Sequence, residues 1–106
     1  MFVAGQVGWN EDETFENHDF VAQFRRALLN TKAILAEASA GPEHVVRMTW
    51  YVVDKKEYLS RLNEVGAAYR EVMGRNYPAM AVVEVKGLIE DGARVEIETT
   101  AVVPRT

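Results

Sequence analysis

His44-Val45-Val46-Arg47-Met48-Thr49-Trp50-Tyr51-Val52-Val53-Asp54-Lys55-Lys56-Glu57 is the stretch on which the fold turns, because the period of its residues changes inside it. Val46, Met48, Trp50 and Val52 fall on one face of an extended chain. Val45, Arg47, Thr49, Tyr51 and Val53 fall on the other, and the β-branched and aromatic content marks a strand. One face is apolar and the other half polar, so both are expected to be partly covered, with Arg47 partly buried and paired. At Asp54 the strand gives way to a helix start. The Asp54 carboxylate can accept from the early helix amides, and Glu57 can reach back to complete the box. Tyr58, Leu62, Val65, Tyr69 and Val72 then recur at helical spacing up to Gly74.

Upstream, Phe20, Phe24, Ala27, Leu28, Thr31, Ile34, Leu35 and Ala38 mark a first amphipathic helix, capped by Asn17 or Asp19 and ended by Gly41-Pro42. Before it, residues from about Phe2 to Val7 read as a strand. Downstream, an apolar run from Ala79 to Val85 and an alternating stretch through Val95, Ile97, Thr99 and Ala101 flank Glu90-Asp91-Gly92, which predicts a β-hairpin. The order strand, helix, strand, helix, strand, strand makes an α+β domain over residues 1–106 whose two helices cover one face of the sheet. Glu96, Glu98, Thr100 and Val102, with Met80, Val82 and Glu84, are expected on the uncovered face. That mixture of Val, Met and Glu is too apolar for free solvation, so oligomerisation through it is expected.

With no Cys, the chain has no disulfide framework, Cys-ligated metal centre or thiol nucleophile. A formal charge of −4, with no basic run longer than Arg25-Arg26 or Lys55-Lys56, argues against a nucleic-acid partner. The longest strictly apolar stretch is the five residues Ala79 to Val83, and the start has no basic region followed by a long apolar one. Neither membrane spanning nor secretion is expected, which points to the cytoplasm.

His18 and His44 have no second ligand at metal spacing, so no metal site is expected, and both read as loop or element-entry residues. Gly5-Gln6-Val7-Gly8 lacks the third glycine of a dinucleotide loop and the Lys-Ser/Thr of a phosphate loop, and reads as a strand-end turn. Ser39 and Ser60 lie at or within helices, without a nucleophile elbow. Trp9 is a strand-end plug or an interface aromatic. The other arginines, Arg70 among them, read as surface cations paired with the surplus acids. Glu96 and Glu98 lie on one face of a strand, about 7 Å apart. They are either solvated outward residues or an interacting pair able to supply an acid and a base.

Ala4-Gly5-Gln6, the helix from Gln23 through Leu28-Leu29-Asn30, His44-Val45-Val46-Arg47, Tyr51-Val52-Val53-Asp54, Tyr77-Pro78-Ala79 and Val95-Glu96-Ile97-Glu98 together resemble the Rid family, also called YjgF. The resemblance spans essentially the whole chain. It implies a chorismate-mutase-like α+β fold, a homotrimer with clefts between subunits, and no cofactor. In the RidA branch it further implies hydrolysis of enamines and imines to ketoacids and ammonia. There an arginine holds the substrate carboxylate and a glutamate places the water.

Carried over position by position, Glu96 is the catalytic candidate, with Gly5, Met80 and Val82 as substrate-binding positions. Met80 stands where that branch has arginine, Val82 where it has cysteine, and Ala4 where it has serine. The usual first strand, carrying a site tyrosine, is expected to be missing. A charge-assisted bond is worth about 1.5–3 kcal/mol, so a thioether at position 80 implies a less anionic or more apolar ligand. The resemblance thus leaves an enamine or imine deaminase of altered range, or a non-catalytic small-molecule-binding trimer. A ribonuclease, a label some members carry, fits the acidic charge least.

Overall fold

The computed structural model describes residues 1–104. Strand β1 (Phe2–Val7) leads to helix α1 (Phe20–Glu37), a 3₁₀ turn (Pro42–His44) and strand β2 (Val45–Val52). Helices α2 (Lys55–Ser60) and α3 (Leu62–Met73) follow, then strands β3 (Ala79–Glu84) and β4 (Val95–Ala101). The sheet order is β1-β4-β2-β3, with β4 antiparallel to both its neighbours and β2 parallel to β3.

The expected hairpin between the last two strands does not form, because β2 lies between them. The turn itself is present, with Ala93 N–H donating to Glu90 C=O at 3.0 Å. What overrides it is the helical crossover from β2 to β3, the connection that parallel neighbours require. β3 takes one edge of β2 and β4 the other. The inner face of β4, Val95, Ile97, Thr99 and Ala101, is at most 1% exposed, as befits a central strand.

Register also corrects the assignment of faces. Met80 pairs with Met48 and Val82 with Trp50, so Met80, Val82 and Glu84 share the helix-covered face. Glu96 and Glu98 pair with Tyr51 and Thr49 on the open face. A bulge between Val45 and Arg47 turns Val45 into the core and leaves Val46 46% exposed, reversing the expected alternation at that end. Arg47 lies on the open face, exposed and without an ion pair among the described residues, because only one face of β2 is covered.

α1 buries Phe20, Phe24, Ala27, Leu28, Thr31 and Leu35 against the sheet, and its start is capped by Asp19, which accepts from Ala22 N–H at 3.0 Å. It ends before Gly41-Pro42. Ser39, at φ 57°, closes a Schellman motif in which Ala40 N–H donates to Leu35 C=O and Ser39 N–H to Ala36 C=O. The second helix is broken at Arg61, whose guanidinium is held by Asp19 and Glu64. Asp54 caps α2 by accepting from Glu57 N–H at 3.1 Å. The expected return bond is absent, since the Glu57 carboxylate faces Arg94 and the Lys55 amide donates to Glu84 at 2.7 Å.

A buried amide ties α1 to the start of β4. Gln23 Nε2 donates to Asn17 C=O at 3.0 Å and Gly92 C=O at 2.9 Å, while Oε1 accepts from Arg94 N–H at 2.8 Å. Gly8 packs on the same turn, where an added Cβ would lie 2.5 Å from Gln23 O. Among the described residues, no helix is long and apolar enough to cross a membrane.

Candidate functional site

The pairing of β4 with β1 and β2 places Glu96 on the open face near one end of the sheet, opposite Val7 on one side and Tyr51 on the other. Its carboxyl group lies against the backbone of Gly5, where an added Cβ would be 2.7 Å from Cδ and 2.9 Å from Oε2. Gly5 is thus the seat of this carboxylate, and Glu96 has no hydrogen-bond or ion-pair partner among the described residues. Glu98 shares its face and borders a shallow hollow of about 500 Å³ with Phe2, Ala4, Arg47, Thr49 and Thr100.

Met80 and Val82 lie on the opposite side of the sheet. Val82 packs on the core, while Met80, 42% exposed on the edge strand β3, borders a second hollow of about 220 Å³. Trp50, Tyr58, Val65, Tyr69 and Tyr77 line that hollow. Its walls are an aromatic series: Phe24 meets Trp50 edge-on at 4.7 Å, Trp50 meets Tyr69 at 5.8 Å, and Tyr69 stacks on Tyr77 at 5.7 Å. Burial pushes the Tyr58 phenol up, and burial with the neighbouring Tyr77 does the same for Tyr69, so both stay neutral at physiological pH. The Tyr69 hydroxyl donates to Asn76 C=O.

Two of the expected site positions, Gly5 and Glu96, are therefore brought together, and the other two, Met80 and Val82, are not brought to them. The aromatic hollow escaped the sequence reading because Trp50, Val65 and Tyr69 carry the same periodic signal as core residues. The sequence pattern makes Arg70 a paired surface cation, and the structure differs. Unlike Arg25, which meets Glu71 at 2.8 Å, it has no acidic partner among the described residues. His44 serves the fold, its Nδ1 accepting from Gly41 N–H at 3.0 Å, and His18 lies exposed in the loop before α1. Trp9 rests on Phe15 at 5.7 Å, and its carbonyl accepts from Asn30 at 3.0 Å. Among the described residues, no three His, Asp or Glu side chains are grouped so as to hold a metal.

A four-stranded mixed sheet with helices on one face, an open face that carries a glycine-seated glutamate, and residue-by-residue similarity across the chain define the class. The endoribonuclease L-PSP family profile matches residues 1–103, and the chain belongs to this family, the Rid or YjgF proteins. A RutC family protein of Pyrococcus abyssi is 39% identical over 95% of this chain and 76% of its own length. The 2-iminobutanoate/2-iminopropanoate deaminase of Escherichia coli is 30% identical over 96% of this chain and 78% of its own. The Rid family protein YyfB of Yersinia pestis superposes with a TM-score of 0.85 at 31% identity, covering 95% of this chain and 76% of that one.

Proposed function

We propose that the protein is a homotrimeric hydrolase of small enamine or imine intermediates, acting in the cytoplasm without a cofactor, with its site in clefts between subunits. One observation carries the intersubunit reading: Glu96 on Gly5 and Met80 at the aromatic hollow project from opposite faces of one sheet. A cleft that uses both therefore takes each from a different copy. The half-apolar open face, with Phe2 86% and Val83 40% exposed, supports burial against such a copy.

The chemistry follows from a single carboxylate. Water adds to the carbon of the protonated C=N bond as the Glu96 carboxylate takes one of its protons; that proton returns to nitrogen, and the C–N bond of the carbinolamine then breaks, releasing ammonia as the hydroxyl gives its proton to Glu96 and the ketone forms. The relative that carries the name 2-iminobutanoate/2-iminopropanoate deaminase supports this reaction class. Met80 in place of a cation, among aromatic and aliphatic neighbours, supports a more apolar range than the one- and two-carbon side chains of those imino acids.

The experiment is to generate 2-iminobutanoate in situ and follow 2-oxobutanoate formation with the wild type, Met80→Arg and Glu96→Gln, alongside light scattering. The expected result is weak wild-type activity, a gain in Met80→Arg and its loss in Glu96→Gln, on a trimer. A stable monomer, or full activity in Glu96→Gln, overturns the reading. No activity in the wild type or in Met80→Arg leaves the non-catalytic binder as the better account.

A further inference from the structure

One feature of the aromatic hollow is unexplained by packing. Trp50, 5% exposed, forms part of its wall between Tyr69 and Phe24. At the rim stands Arg70, a guanidinium with no acidic partner among the described residues. Its Nη1 would lie 3.3 Å from a Cβ added at Gly66, one helical turn earlier, so the side chain folds back along α3 over the hollow. A free cation at the edge and stacked rings along the wall specify an anion that carries an apolar group.

Volume narrows the class. An apolar cavity of about 150 Å³ accepts a benzene ring, and water occupies about 30 Å³ in the liquid. The hollow, at about 220 Å³, has room for one phenyl-sized ring and a few further atoms. It is too small for a nucleoside phosphate, and nothing in its lining matches a phosphate except the single arginine.

We propose that this hollow binds the side chain of an aromatic 2-imino or 2-oxo acid, with the carboxylate held by Arg70 rather than by a residue at position 80. The ring lies against Tyr69 and Tyr77, beside the Trp50 wall. This rests on the small-molecule reading above and deepens it. Arg70, sited on α3, supplies the positive charge that the thioether of Met80 does not.

The test reads binding rather than turnover, so that it can fail separately from the hydrolase reading. Phenylpyruvate, a stable ketoacid, is titrated into ¹⁵N-labelled protein, with 2-oxobutanoate as the small-side-chain control. The indole N–H signals are distinguished by Trp9→Phe. The expected result is a shift of the Trp50 N–H signal, at least tenfold tighter binding of phenylpyruvate than of 2-oxobutanoate, and about tenfold or greater weakening in Arg70→Ala. That weakening is the size of one lost charge-assisted bond, and Arg70→Lys is expected to recover part of it. Gly66→Leu, which fills the wall beneath Arg70 from an exposed helix, should abolish binding, with circular dichroism confirming the fold. An unmoved Trp50 signal, equal affinity for the two acids, or unaltered binding in Arg70→Ala overturns the proposal, whatever the activity toward 2-iminobutanoate.

Discussion

Alanine at Gly5 and at Gly8 adds the same single carbon to neighbouring parts of the chain, yet the two substitutions should fail in different ways. At Gly5 the new Cβ would sit 2.7 Å from Glu96 Cδ and 2.9 Å from Cγ. That is about 0.8 Å inside the optimum for carbon contacts, close to 3.5 Å. The obstructed atoms belong to the far end of a flexible side chain, which can rotate away for about 0.5–1.5 kcal/mol. At roughly 4 °C per kcal/mol for a domain of this size, Tm should fall by about 2–6 °C. The carboxylate nevertheless leaves its seat. If it activates the water, the rate on 2-iminobutanoate should fall by about 10²–10⁴, the usual weight of a general base. At Gly8 the new Cβ would sit 2.5 Å from Gln23 O and 2.6 Å from its Cα. Those are backbone atoms of α1 next to the three bonds of the Gln23 amide, and they cannot turn aside. Overpacking of this kind costs about 1–3 kcal/mol, to which strained bonds add, so Tm should fall on the order of 10 °C or more. Thermal unfolding by circular dichroism and ketoacid release measure the two quantities. A Gly5→Ala protein with full activity, or one as unstable as Gly8→Ala, refutes the reasoning that Gly5 exists to seat Glu96.

Two further outcomes are open to measurement. Gln23→Leu keeps the bulk of the side chain but strands the Asn17 and Gly92 carbonyls and the Arg94 amide; since loss of a partner costs about 1–3 kcal/mol for each group left buried, urea denaturation should show a loss of several kcal/mol, and a loss below 1 kcal/mol would mean that water replaces the amide. The Arg61 guanidinium, and then the Ala22 amide, hold the Asp19 carboxyl below its ordinary 3.8, so the folded state binds this proton less readily than the unfolded one. Its contribution is complete above about pH 4 and is lost as pH falls through the lowered folded value. Asp19→Asn should therefore flatten the acid limb of a Tm-against-pH profile and leave its slope near neutrality unchanged; parallel wild-type and variant profiles below pH 4 would remove Asp19 from the account.

The elements themselves were legible because each rests on local rules: the apolar stripe of α1, the Asp54 cap, and the β-branched run of β2. Strand pairing was not, because a turn signal such as Glu90-Asp91-Gly92 describes only the chain beside it, while the sheet order depends on which edges remain free after the helical crossover. A non-local cue did stand in the residues. Val95, Ile97, Thr99 and Ala101 make an inner face with no charge and little bulk, suited to a strand with a neighbour on each side.

The site divides along the same line. Glu96 could be placed from its own strand, since the buried phase of Val95 and Ile97 assigns it to the other face. Met80 could not, because Ala79 to Val83 is apolar at every position and carries no phase of its own. Only the pairing of Met80 with Met48 provides one. Side-chain direction in a strand has a period of two, so a one-residue slip of β3 along β2 would bring Met80 onto the face of Glu96. The observed register puts the sheet between them, and Trp50, held in phase with Val82, sets that register from inside the core. The packing that buries Trp50 is thus what separates the two candidate halves of the site. A cleft containing both has to be completed by another copy of the chain.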